Sequence, residues 1–218
     1  MVSHNKKESK KETSKGQIFS IVIAAIIMLI VAILLFTTLG DNVKEKQDYR
    51  TYNKFEFQKD GDYWRTLIYR NDKPFDAVFY NHPLDCENVI YDDNATILTI
   101  EKPHTDLIIS IDLNSTSKAV IAGANIGRIT GKFYELPTSS ALYIKKEERY
   151  KYNFSHQIVD CSDATELKPI IYINDHMNIS GVFLNEENPN CIEIFGQTPD
   201  EVIKFADTYS YKIIGIMK

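Results

Sequence analysis

The run QIFSIVIAAIIMLIVAILLFTTL, residues 17–39, decides how the rest of the chain is read. The 22 residues from Ile18 to Leu39 carry no charge, and only Ser20 and the pair Thr37 and Thr38 interrupt the apolar side chains. At about 1.5 Å of rise per residue such a helix extends roughly 33 Å, enough to cross the ~30 Å hydrocarbon core of a bilayer. A helix packed on a soluble core keeps a polar face; this stretch has none and reads as a transmembrane helix. It is longer than the apolar core of a cleaved signal peptide. The residues at its end, Phe36, Thr37, Thr38, Leu39 and Gly40, make a poor small-x-small cleavage site, so the expectation is an uncleaved signal anchor.

Charge sets the orientation. Residues 1–15 hold five lysines against Glu8 and Glu12, while the remainder of the chain holds 20 Lys and Arg against 28 Asp and Glu. Lys6, Lys7, Lys10, Lys11 and Lys15 precede the run, against Lys44, Lys46 and Arg50 soon after it, so by the positive-inside rule the N-terminus is expected in the cytoplasm and the large domain outside the cell membrane. An acidic domain repels a phosphate backbone, which argues against nucleic acid as a partner. The expected organisation is a basic cytoplasmic tail over 1–16, the transmembrane helix over 17–39, a juxtamembrane linker over 40–52 and one extracytoplasmic domain over 53–218. That last length suits a single core.

Within the domain, residues 54–59, 63–69 and 75–80 alternate apolar and polar side chains. They are separated by the turn signals Asp60-Gly61 and Asn71-Asp72, which predicts a three-stranded meander. Its aromatic residues Phe55, Phe57, Trp64, Tyr69, Phe75 and Phe79 are expected in the core. Residues 95–101, 106–112 and 142–144 read as further strands. Residues 115–130 read as a helix of small residues stopped by Gly131, and 170–173, 180–184 and 191–195 as strands. Thr198, Pro199 and Glu201 then combine an N-cap, a proline at the first helical position and a capping-box acid. Val202, Phe205, Ala206, Tyr209, Ile213 and Ile216 form the apolar stripe of the helix they open. The fold class is α+β, a mostly antiparallel sheet with two packed helices.

Catalytic patterns are missing from the sequence. His4, His82, His104, His156 and His176 are scattered without zinc-ligand spacing. Ser139 and Ser140 lack the glycines of a nucleophile elbow, and no phosphate or dinucleotide loop occurs. Asp92 with Asp93, and Asp160 with Asp163, read as loop carboxylates, and the Asp112–Asn114 segment as a turn and helix cap. No catalytic residue, metal or other cofactor is expected. Four sequons, at Asn94, Asn114, Asn153 and Asn178, fall in or beside predicted loops and are candidate glycosylation sites. The three cysteines, Cys86, Cys161 and Cys191, all lie beyond the apolar run. In an oxidising exterior two of them pair. The choice is Cys161 with Cys191, because both flank strands of the C-terminal part, which leaves Cys86 over.

Lys15-Gly16-Gln17, closing a charged leader ahead of an apolar helix, resembles the processing site of archaeal type IV pilin-like precursors. That resemblance implies cleavage between Gly16 and Gln17 and a subunit that polymerises through the same helix. It departs from the family pattern at Ile21, where pilins commonly carry Glu. The front end as a whole is similar to those of small, singly anchored proteins of reduced-genome archaea, which implies a location and no activity. The expected function is binding or scaffolding with other envelope proteins, beside the lipid bilayer itself. A pilin-like subunit is the first alternative and an anchored envelope hydrolase the second. Non-reducing peptide mapping of the native protein is expected to recover Cys161 linked to Cys191, with Cys86 alkylated only after denaturation. A link from Cys86 to either partner would remove the basis for placing their strands together.

Overall fold

The structure is a computed structural model that describes Ile23, residues 26–31, Ile33 and residues 48–218. The described residues among 23–33 are helical. The expected tail 1–16, the processing site at Gly16 and Gln17, the rest of the span 17–39 and the linker up to residue 47 lie outside the described residues. Among the described residues, no helix is long and apolar enough to cross a membrane. The fold described below is that of the unit Gln47–Lys218.

That unit is an α+β domain with two sheets. The first is an antiparallel meander of four strands, β1 (Tyr49–Tyr52), β2 (Phe55–Asp60), β3 (Tyr63–Arg70) and β4 (Lys73–Phe79), side by side in that order. Two of its turns place both central residues at positive φ, Asn53 with Lys54 and Asn71 with Asp72, the backbone that tight hairpins require. Pro74 sits on the edge strand β4, where its missing N–H costs the ladder nothing. The three expected strands are therefore four, and β1 lies wholly within the expected linker 40–52. That strand is polar and mostly exposed, so nothing in its own pattern marks it; it forms because it pairs with β2, Tyr52 opposite Phe55.

Along β3, Trp64, Thr66 and Ile68 point inward while Tyr63, Arg65, Leu67 and Tyr69 point out. Of the expected aromatic core, Phe57, Trp64 and Phe79 are buried, Phe55 and Phe75 partly so, and Tyr69 is exposed.

A one-turn helix, α1 (Pro83–Cys86), and a second helix, α2 (Asn94–Ile100), follow the meander. The latter replaces the strand expected over 95–101. Its threonines and isoleucines favour a strand, but Ala95, Leu98 and Thr99 fall on one helical face and bury there, and tertiary packing overrides propensity. The second sheet contains β5 (Leu107–Asp112), β6 (Thr138–Tyr143), β7 (Ile158–Val159), β8 (Ile170–Asn174), β9 (Gly181–Leu184) and β10 (Cys191–Phe195), in the spatial order β7-β6-β5-β8-β10-β9. Its pairings are parallel except for β9 against β10, so the expectation of a mostly antiparallel sheet holds for the meander and not here. Ile-rich strands buried on both faces carry no alternation to distinguish the two modes.

Helix α3 (Ser117–Arg128) is the crossover from β5 to β6, capped by Thr116. A Cβ at Gly123 would stand 3.2 Å from both Ile109 and Ile111, so the missing side chain lets the helix lie close on β5. Gly131 does not stop this helix; it lies inside a π-helical turn, Ile129–Phe133, that continues it. The final helix, α4 (Pro199–Ile213), starts as expected, with the Thr198 hydroxyl accepting the Glu201 N–H. The Glu201 carboxylate accepts the Gln197 N–H and the Ser180 hydroxyl.

One face of the larger sheet packs on α3 and α4 in a core shared with the meander. The opposite face carries a smaller cluster around Ile108, Ile170, Tyr172 and Phe195, covered by the irregular connection from β6 to β8. The disulfide between Cys161 and Cys191, with Cα atoms 5.3 Å apart, ties that connection to β10. Long-range polar bonds close the fold. The Asn53 side chain donates to the carbonyl of Ile216, and Tyr134 to that of Ile213. Asp207, buried on α4, accepts the Tyr80 N–H at 3.0 Å, the Asn81 N–H at 2.8 Å and the Asn81 side-chain amide at 2.9 Å, all on Oδ2.

Burial pushes the Asp207 carboxyl up to about 7, against the pull of those three donors. A raised carboxyl stabilises the fold fully below the unfolded value of 3.8, and that contribution is lost as pH rises through about 7. Asp207→Asn, which cannot ionise, is therefore expected to gain stability relative to the wild type as pH is raised from about 4 to about 7 in urea unfolding. A stability difference that is constant across that window would mean the carboxyl ionises as it does in water.

Candidate functional site

In open sheets with parallel strands, ligands settle outside the carboxyl ends where the chain direction of travel reverses. Here that point lies between β5, whose crossover leads to β6, and β8, which leads toward β10. Asp112 ends β5, Tyr143 ends β6 and Asn174 ends β8, with Asp175 and His176 just beyond.

These groups are bonded to one another. Asp112 accepts the Asn114 N–H at 2.9 Å and the Tyr172 hydroxyl at 3.2 Å. The Asn174 amide donates to that same hydroxyl at 2.8 Å, and its carbonyl oxygen accepts the His176 N–H at 2.8 Å. Tyr172 stacks on Tyr143 at 3.4 Å between ring centres, and burial raises both phenols, that of Tyr143 to about 12. Asp175 is fully buried and accepts the Thr116 N–H and hydroxyl, so it anchors the N-terminus of α3 to the end of β8. His176 reaches Asp175 at 3.2 Å and the carbonyl of Asn114 at 3.1 Å. The rim spends its carboxylates on backbone and neighbouring donors. It contains no pairing of nucleophile with base, and no group of three His, Cys, Asp or Glu able to hold a metal occurs among the described residues.

The outer face of the meander is different in character. Tyr49 of β1 and Tyr63, Leu67 and Tyr69 of β3 are 60, 40, 53 and 64 % exposed. Between Tyr49, Leu67 and Tyr69 lies a shallow depression of about 490 Å³, bordered by Lys54, Glu56, Arg65 and Asp76. Arg65 is held upright by Asp60 at 2.9 Å and Asp76 at 3.1 Å. Tyrosine and arginine in this mixture are the residues that dominate protein interfaces.

The sequence-derived candidates are distributed elsewhere. Cys161 and Cys191 are joined, and Cys86 is buried beside α4 with its thiol pushed up to about 12, an inert group. Asn94, Asn114, Asn153 and Asn178 are all exposed, although the Asn94 amide donates to Asp92. Asp160 and Asp163 are both bridged by Arg149, and Ser139 donates to Asp106. Asp175 and Asp207 were not foreseeable as anchors, being single acids with no local motif. Comparison with protein-family models, curated proteins and solved structures finds no match for this chain.

Asp175→Ala leaves the half-buried Thr116 donors without their acceptor, and the expected cost is about 1–3 kcal/mol in urea unfolding. His176→Ala, at an exposed position on the same rim, should stay within about 0.5 kcal/mol.

Proposed function

We propose that this chain is a single-pass membrane protein, N-terminus in the cytoplasm, that presents its α+β domain on the extracytoplasmic side to bind other envelope proteins. The observation that carries this reading is the Cys161–Cys191 disulfide in a domain that follows an uncharged apolar run of 22 residues. A structural disulfide persists on the oxidising side of a membrane, and the lysines before the run set the same orientation. The outer face of the meander is the binding surface in this reading. Its exposed tyrosines and Leu67 supply apolar area at low entropic cost, and the buttressed Arg65 supplies direction. The polar rim at the strand ends has no such surplus, so catalysis is not part of the proposal.

Protease added to intact cells is expected to cleave beyond residue 41, and the mature protein to retain residues 17–39 and to need detergent for extraction. Full protection until lysis would reverse the orientation. A mature N-terminus at Gln17 would favour the pilin-like subunit instead, and one near residue 41 a secreted domain. A photo-crosslinker at Leu67 or Tyr69 should trap an envelope protein in intact cells, whereas one at Val120, exposed on α3, should not. Equal trapping at both positions would remove the meander face from the proposal.

A further inference from the structure

Residues Tyr80 to Leu84 carry the chain from β4 into α1, and their backbone donors rest on two side chains that take up protons. Asp207 accepts those of Tyr80 and Asn81, and His82 Nδ1 accepts that of Leu84 at 3.2 Å. An imidazole that accepts at Nδ1 carries its proton on Nε2. That Nε2 is buried and has no hydrogen-bond partner, and His82 as a whole is 0 % exposed. Three rings from three strands enclose it edge-on: Tyr52 of β1 at 6.4 Å, Phe57 of β2 at 5.1 Å and Trp64 of β3 at 4.7 Å between centroids.

The arrangement accommodates a neutral ring. A second proton would go to Nδ1, where the Leu84 N–H already points, so the cap of α1 breaks. The charge would also enter an apolar cage beside the Arg50 guanidinium, which lies 5.0 Å from the Trp64 ring. The charged and titratable groups around the cage are Asp48 and Arg50, paired with each other at 3.1 Å, on the β1 side, and Lys59 of β2 over the Trp64 ring. Asp85, Cys86 and Glu87 approach from α1, and Lys204, Asp207 and Tyr211 from α4. Burial and then Arg50 hold the imidazole below its ordinary 6.5, with Asp85 and Asp48 pulling weakly the other way. Of the strands the cage joins, β1 is the least buried. Tyr52 is its inward side chain, and Tyr49, Arg50 and Thr51 are exposed.

We propose that His82 is a proton-operated latch on strand β1: neutral, it gathers Tyr52, Phe57 and Trp64 around itself, and charged, it leaves the cage and lets β1 lift from the meander. The sign is that of a lowered imidazole, closed above 6.5 and increasingly open below it. Asp207 has the opposite sign, because a proton there relieves a buried charge. Acid thus relieves the buried charge at Asp207 while it opposes the neutral ring at His82, and the opening stays local to the strand by which the chain enters the domain. This latch concerns the domain alone and does not rest on the proposed location.

Trp64 is the single tryptophan, so its emission reports the cage directly. In the full-length chain in detergent, lowering pH from about 8 to about 4.5 should redden and weaken the emission, with a midpoint below 6.5 and unchanged far-ultraviolet circular dichroism. His82→Asn keeps an acceptor for the Leu84 N–H but cannot charge, and should abolish the step, whereas Asp207→Asn should leave it in place. If His82→Asn does not fold, Arg50→Gln decides, since removing the neighbouring cation should raise the midpoint. Emission that is flat with pH overturns the latch. So does a step that coincides with loss of secondary structure, survives His82→Asn, disappears in Asp207→Asn, or is unmoved by Arg50→Gln.

Discussion

Everything in the domain leans on helix α4. Ten of its fifteen residues are buried, because it is packed from several directions at once, by α3, by α1 and α2, and by the strands of the larger sheet. A helix in that position is buried on more than one face, and most of its polar side chains find partners inside the protein, the Ser210 hydroxyl excepted. Tyr209 bonds Thr99 of α2, Tyr211 donates to the carbonyl of Asn81, and Asp207 gathers three donors from the end of the meander. The bonds of Tyr211 and Asp207 attach the smaller sheet to the larger structure. Removing a partner leaves a buried polar group with no water to replace it, which costs more than the bond contributes when made.

The parts of the fold that are legible in the sequence are those with a local physical cause. Thr198, Pro199 and Glu201 announce α4 because capping depends on four adjacent residues. Asn71 and Asp72 announce a hairpin because few residues other than glycine tolerate positive φ. The pairing of Cys161 with Cys191 is legible from strand neighbourhood, since both flank strands of the C-terminal part. What is not legible depends on distant partners. The strand β1 is a polar stretch until β2 lies beside it, and α2 reads as a strand until α4 covers one side of it. Parallel pairing among β5, β8 and β10 leaves no mark on strands that are buried on both faces. His82 and Asp207 look ordinary in sequence because their character comes from burial alone.

The two surfaces with the most chemistry have different economies. At the carboxyl ends of β5 and β8, Asp112, Asn174 and Asp175 are already saturated by Tyr172, His176 and Thr116, so the geometry that often holds a ligand holds the protein together instead. On the meander, alternation along β3 sends Trp64, Thr66 and Ile68 to the core and leaves Tyr63, Arg65, Leu67 and Tyr69 to solvent. A strand that is apolar or aromatic on both faces has more hydrophobic surface than its own core consumes.

The bond from the Asn53 side chain to the carbonyl of Ile216 spans 163 positions of the chain. The turn between β1 and β2 therefore acquires its anchor only after residue 216 has been synthesised, and α4, which supports the meander, is complete only shortly before. Hairpins of the meander can form early because their turns are local, but they have nothing to dock on while the intervening residues are still emerging. A nascent chain would thus expose the aromatic inner face of the meander, Phe57, Trp64 and Phe79, until α4 has emerged. The order of synthesis, more than the final stability, sets how long that aromatic face waits for its partner.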